Sequence, residues 1–393
     1  MKSRSGLRSD GFALIVTITL VAMIALIVLG LAAISRVEIQ AQANLGYAAA
    51  ARKNAQFALE LAIEQLARFA TDDVVTVRSD YRGGNPASLN WTGVVNPADG
   101  SVVVWLVNGA EQGTSPDPFS AVAEASTRAA PTVQLLKRAL NTNEQVTVVK
   151  SELQTYHSAL GQRIVTGRYA YWVSDESQKV SLAVPDALPV PAGLARYPAP
   201  HADKILPGYT KGGEGVERLV TTDQALLIGV KADDLNLIWP AVTSMSKAVT
   251  GPGMFVLGAF NVNSRNEDAW AAVLGAVDES TPYLAQVKTA ILASERPFIS
   301  LADFETKFRA AFAGDPLLAD QIIETLTPVL TVRGDTFLVR AYGEVVNPLT
   351  TTSDPRYVLA TAFCEARVQR TMLANGDVRY VTTYFRWLSG NDI

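Results

Sequence analysis

A few residues have types and spacings that invite a chemical reading. The strongest metal-ligating and nucleophilic types are scarce: His157, His201 and Cys364 are the only histidines and cysteine in 393 residues. A single cysteine forms no intrachain disulfide and no thiolate cluster. The histidines lie far apart, without the HxxxH spacing that puts two imidazoles on one helical face, and read as ordinary side chains. Asp175, Glu176 and Lys179 set two carboxylates beside an ammonium, groups able to move a proton. Charged residues at a tight turn are normally solvated, and solvated is the reading adopted. Asn261, Asn263, Glu267 and Asp268 offer oxygen donors suited to a hard cation, although the EF-hand spacing is missing. Asn263 or Ser264 capping the next helix explains the cluster without metal, so calcium, with Asn261, Asn263 and Asp268 as ligands, is the one cofactor candidate. Gly212-Gly213-Glu214-Gly215 follows no strand, and the GxSxG, HExxH, P-loop and dinucleotide fingerprints have no supporting context. No catalytic residue is expected.

The elements that must carry such residues begin with an anchor. Phe12 to Ile34 is a run of 23 residues without a charge, and about 20 apolar residues cross a bilayer as a helix. A cleaved secretory signal has a shorter apolar core of about 7–15 residues. Lys2, Arg4 and Arg8 precede the run, while Arg36 and Glu38 follow it. The positive-inside rule then places the N-terminus in the cytoplasm and the remainder outside. From Val37 to Ala70 there is no proline and much Ala, Gln, Glu and Leu. Phe57, Leu59, Leu61, Ala62 and Glu64–Leu66 suggest an amphipathic stripe, and one rod of roughly 85–90 Å reaches Phe69. A net charge of −4 supplies no basic field for nucleic acid.

Farther on, Thr71–Pro118 reads as loops and short strands, with Ser101–Val107 a strand, and Phe119–Leu140 as a helix broken at Pro131. Arg168–Val184, aromatic and β-branched around a polar centre, predicts a hairpin. Six prolines between Pro185 and Pro207 mark a boundary. Helices are expected at Thr222–Leu227, Ala232–Pro240, Asn266–Val277, Pro282–Ala293, Ser300–Phe312 and Pro316–Leu326, and strands at Val329–Val345, Tyr357–Thr371 and Arg379–Leu388, the last two joined at Asn375-Gly376. Cys364 alternates within a strand as a small apolar packing residue.

The start of the chain is more specific than an anchor. A short basic leader ends in Gly11 and Phe12 opens the apolar run, which resembles the class III signal of type IV pilins and type II secretion pseudopilins. The resemblance implies that a prepilin peptidase cuts after Gly11 and methylates Phe12. Most of that family carry a glutamate at the fifth mature position, to pair with a neighbour's N-terminal amine; this chain has Val16 there. The K-type minor pseudopilin of the fibre tip also lacks that glutamate. Arg168–Val184, Phe260–Leu274, Glu295–Phe304 and the strings VRGDTFLVRAYGEV and AFCEARVQR resemble further K-type segments. Phe260–Leu274 also resembles the start of a helix-hairpin-helix, but Ala293–Pro297 has no glycine for a phosphate-binding hairpin, and no nucleic acid partner is expected.

The resemblance implies an α+β fold: a leader (1–11), a transmembrane helix (12–35), its amphipathic continuation (36–70), the first part of a pilin-like head with an antiparallel sheet (71–184), a Pro/Gly-rich linker (185–213), an inserted helical domain (214–328) and closing strands (329–393). It implies a structural subunit that initiates or caps a pseudopilus or pilus-like fibre. Its partners are other pseudopilins or pilins, the prepilin peptidase and the inner membrane, with the globular part periplasmic. The competing readings are a membrane-tethered exported enzyme and an adhesin-like binding module.

Overall fold

An uncharged run continued by alanine-rich sequence has every local reason to form one uninterrupted helix. In the computed structural model, which describes residues 10–71, 74–79, 90–109, 131–137, 145–159, 161–184, 200, 202–210, 218–277, 283–292, 294, 297–390 and 392–393, it does. Helix α1 (Asp10–Phe69) has 60 residues, about 90 Å at 1.5 Å per residue. Its buried stripe is Ala51, Ala55, Ala58, Ala62 and Leu66, spaced three or four apart, and Ala70 just past its end is buried as well. That corrects part of the expected stripe. Phe57 is 45% exposed and meets Tyr169 edge-on at 5.1 Å, because the face on the sheet must be small.

After α1 come short strands β1 (Val75–Arg78), β2 (Thr92–Val95) and β3 (Val102–Trp105), paired in order as one antiparallel sheet. Strands β4 (Thr132–Leu136) and β5 (Val146–Val149) pair with each other. Of the helix expected at Phe119–Leu140, residues 119–130 and 138–140 lie outside the described ones, and Thr132–Leu136 is strand instead; its Val and Leu side chains share a core with Val146, Val148, Trp172 and Tyr342. Strand β6 (Ser151–His157) then pairs with the long β7 (Gln162–Asp175).

The chain next leaves the main sheet. Strand β8 (Val180–Ser181) pairs in parallel with β9 (Val242–Thr243), so the expected hairpin over Arg168–Val184 does not fold back on itself. Of the proline-rich segment, residues 185–199 lie outside the described ones, and Ala202–Lys204 is a 3-10 turn. A 3-10 helix over Thr222–Ile228 and α2 (Ala232–Ile238) lead into β9. Strands β10 (Lys247–Gly251) and β11 (Met254–Leu257) form a hairpin. Strand β12 (Phe260–Asn261), helices α3 (Glu267–Gly275), α4 (Leu284–Val287), α5 (Leu301–Ala311) and α6 (Pro316–Leu326), and β13 (Leu330–Thr331) complete this portion, with β12 and β13 parallel. Trp270, Phe298, Phe304, Phe308 and Phe312 stack through its own core.

Strands β14 (Thr336–Val346), β15 (Val358–Met372) and β16 (Val378–Leu388) return to the main sheet, whose order is β16-β15-β14-β7-β6. Phe337 to Val345 run antiparallel to Asp175 to Gly167, and Gly376 turns the last hairpin at φ 87°. The fold is α+β. Alternation gives the sheet two buried faces. Tyr171, Val173, Phe337, Val339, Ala341, Cys364, Ala366 and Val368 pack under α1; Ala170, Trp172, Leu338 and Tyr342 pack under β1 to β5. Cys364 sits below α1, its thiol aimed at the Ala55 carbonyl at 3.8 Å, and burial pushes its pKa up to about 12.

The helix meets the sheet at two glycines. A Cβ on Gly343 would lie 2.3 Å from the Ala55 nitrogen and 2.4 Å from the Ala51 oxygen; one on Gly167 would lie 2.6 Å from Asn54 Nδ2. Asn54 Nδ2 donates to the Glu344 carbonyl at 2.8 Å. Backbone against backbone leaves nothing flexible to move aside. Gly343→Ala is therefore expected to destabilise the protein by about 1–3 kcal/mol. Gly46→Ala, in the same helix with nothing within 4 Å of its Cβ, is expected to be neutral or to stabilise by up to about 1 kcal/mol. Urea unfolding of the full chain in detergent reads both, and equal effects contradict the close-approach account.

Candidate functional site

The surface with no counterpart in an ordinary water-soluble fold is the first half of α1. From Leu14 to Gln42 every residue is exposed, and the first buried one is Ala51. The segment is long and apolar enough to cross a membrane, with mean hydropathy 3.0 over its strongest window. Each large apolar side chain left in water costs on the order of 2 kcal/mol, so this surface needs lipid or other apolar helices around it. Thr19 answers its own polarity: its Oγ1 donates to the carbonyls of Ile15 and Val16 at 3.0 and 2.9 Å.

Gly11, Phe12 and Val16 all lie in the first turns of α1, and the Phe12 and Val16 side chains are exposed. Position 16 thus presents a methyl-bearing side chain to whatever surrounds the helix. No carboxylate there demands a cationic partner.

The second half of α1 is anchored to a body whose parts are joined by buried polar groups, and here the sequence reading needs its main correction. Asp175, Glu176 and Lys179 are not solvated. They are 4%, 3% and 6% exposed, on a 3-10 turn (Glu176–Gln178) that Asp175 caps. Asp175 accepts from the Ser177 amide at 2.9 Å, Ser177 Oγ at 2.6 Å, Thr76 Oγ1 at 2.8 Å and Gln178 Nε2 at 3.3 Å. The Gly334 amide donates to Thr76 Oγ1 at 2.6 Å, and a Cβ on Gly334 would lie 2.4 Å from Asp175 Oδ1. Burial drives the Asp175 pKa above the usual carboxylate value, against the hydrogen bonds that lower it. Glu176 and Lys179 form an ion pair at 2.7 Å, with the ammonium 4.1 Å from the centre of the Trp239 ring.

The candidate calcium ligands serve the same joint. Asn261 Nδ2 donates to Thr76 O at 3.0 Å and its Oδ1 accepts from the Asn263 amide at 3.0 Å. Asn263 brackets Phe298, accepting from its amide at 2.7 Å and donating to its carbonyl at 3.1 Å. Ser264 Oγ donates to Gln178 O at 2.7 Å. The N-cap of α3 is Asn266, not Asn263 or Ser264; Asp268 is exposed in the first turn of that helix. Among the described residues no group of three or more His, Cys, Asp or Glu is placed to hold a metal. His157 is exposed at the end of β6; His201 and Gly212–Gly215 lie outside the described residues.

A second buried acid lies on the sheet face turned away from α1 and ties β14 to the sheet edge. Glu344 receives Lys150 at 2.6 Å, Arg168 at 3.2 Å and the Tyr342 hydroxyl. Sequence spacing gives no sign of this cluster, since Lys150, Arg168 and the Tyr342–Glu344 stretch come from three separate segments.

A scan of family models matches nothing, and a search of curated proteins finds no match. A search of solved structures finds a chain of "The Crystal Structure of the GspK-GspI-GspJ complex from enterotoxigenic Escherichia coli Type 2 Secretion System". It is similar at 13% identity and a TM-score of 0.30, over 61% of this chain and 84% of that one. A superposition that loose carries no argument about this chain.

The Asp175 joint sets a pH dependence. Its raised pKa means that the folded state holds the proton more tightly than the unfolded chain. The stabilisation is complete below the unfolded value of about 3.9 and is lost as pH rises through the folded value. Asp175→Asn is therefore expected to cost about 1–3 kcal/mol at pH 4, with the deficit narrowing towards pH 8. Urea midpoints at the two pH values measure it; a deficit that widens with pH contradicts this account.

Proposed function

We propose that the chain is a membrane-anchored, pilin-like structural subunit, of the minor pseudopilin kind, that initiates or caps a fibre and performs no bond chemistry. The observation that carries this reading is α1 itself. One unbroken helix has its first half wholly exposed and apolar, and its second half set against the sheet at Gly167 and Gly343. A rod of that kind transmits the position of its apolar half to the body with little freedom at the joint. That is what a subunit held in a bundle of like helices requires. The body, in this reading, lies on the extracytoplasmic side and docks with other pseudopilin heads through complementary surfaces.

The junction at Gly11 and Phe12 supports the same reading, with the prepilin peptidase as processing partner. Val16 supports a position at the end of a fibre: a subunit without an acid there makes no demand for the N-terminal amine of a neighbour.

Intact mass and N-terminal peptide spectra of the full chain, produced with and without a prepilin peptidase, test the proposal. The expected product is a chain beginning at methylated Phe12, formed only when the peptidase is present. An uncut N-terminus, or a cut beyond Ile34, contradicts it.

A further inference from the structure

The sheet face turned away from α1 holds a charged cluster that the assembly reading does not use. Arg340 is 1% exposed. Its Nε donates to Glu365 at 2.8 Å and its Nη1 to the Leu135 carbonyl at 3.0 Å, but its Nη2 is buried without a hydrogen-bond partner. Arg367 points Nη2 at the Val220 carbonyl and Ser244 Oγ, while its Nε is likewise buried and unpartnered. Arg386 spans Glu365 at 2.7 Å and Asp223 at 2.7 Å. Behind them stands the pair of Lys179 with Glu176, close enough to Arg340 for the two cations to repel.

Four cations therefore face three carboxylates in the cluster, and a guanidinium has donors only. Burial pulls the Arg367 pKa below the ordinary guanidinium value in spite of Glu176 and Glu365. Between the three arginines lies a cavity of about 20 Å³, walled also by Trp239, Leu338 and Tyr384. A space of that size admits one water-sized particle. The two nitrogens left without partners, Arg340 Nη2 and Arg367 Nε, match a monatomic anion rather than a four-oxygen one. A water there satisfies N–H groups but leaves the excess charge; a monatomic anion answers both.

We propose that this cavity binds a single halide ion, chloride in ordinary salt, held by Arg340 Nη2 and Arg367 Nε. Arg340 and Arg367 belong to the sheet, whereas Glu176, Asp223 and Trp239 belong to the chain that leaves it after β7. The ion thus helps fasten the helical portion to the sheet, and halide stabilises the folded body as any ligand of the native state does.

The full chain in detergent is unfolded thermally in chloride, bromide and gluconate at equal ionic strength, and its crystals are soaked in bromide for anomalous diffraction. The expected results are a Tm about 2–4 °C higher in saturating halide than in gluconate, loss of that shift in Arg340→Met, and one bromide peak in the cavity beside Arg340. Arg367→Met leaves the Arg340–Glu365 pair in place and is the second variant should Arg340→Met not fold. The peak decides: cavity density that remains water under bromide, or bromide confined to the outer surface, overturns the proposal, and so does a Tm equal in all three salts.

Discussion

Where α1 crosses β14, the helix backbone lies so near the sheet that a single methyl at Gly343 would fall 2.3 Å from the Ala55 nitrogen. Close-packed backbone has no slack, and this contact fixes much else. The helix must show alanine where it meets the sheet, so its stripe is Ala51, Ala55, Ala58 and Ala62. The sheet must put small or flat residues beneath it, and Ala341, Cys364 and Ala366 do so. With one face committed to the helix, the alternate residues of β7, β14 and β15 point the other way, under β1 to β5 and the chain after β7. That second face carries the arginines and glutamates, which pair with one another and with backbone carbonyls but leave Arg340 Nη2 and Arg367 Nε without a partner.

The same helix changes its surroundings along its length without changing its secondary structure. Backbone hydrogen bonds inside a helix are complete in any solvent, so a helix tolerates lipid, protein and water in turn. In α1 the change falls between Gln42 and Ala51, where exposed apolar residues give way to the buried alanines. The proposed role as an anchored subunit needs nothing more elaborate. A stiff element joins a region that is stable only among apolar neighbours to a body stable in water, and the glycine contacts keep the two from swivelling.

Much of this was legible in the sequence, and for identifiable reasons. Phe12–Ile34 contains no charge and Val37–Ala70 no proline, so the long helix followed from local chemistry. β14, β15 and β16 showed as alternating runs around Asn375-Gly376. α5 carried a recognisable cap at Ser300. The polar joints were not legible. Asp175, Glu176 and Lys179 have the composition of a solvated turn, and their burial depends on Thr76, Asn261, Gly334 and Trp239, distant in sequence. Asn263 and Ser264 likewise looked like caps because their true partners, Phe298 and Gln178, cannot be seen locally. The alanine stripe was partly misassigned to Phe57, since hydrophobicity alone does not reveal a face that must be thin.

The most direct test of the central claim, an unpartnered apolar half continuous with a docked one, is the depth of α1 in a bilayer. Cys364 is buried, with its thiol pKa pushed up to about 12, so a nitroxide can be placed selectively on Leu26→Cys and, for comparison, on Asn375→Cys in the exposed β15–β16 turn. In liposomes, power saturation should show the Leu26 label relaxed strongly by oxygen and weakly by a water-soluble nickel chelate, with the opposite order at Asn375. A Leu26 label shielded from both, or reached first by nickel, would mean that this half of the helix folds against protein or stays in water, and would contradict the account.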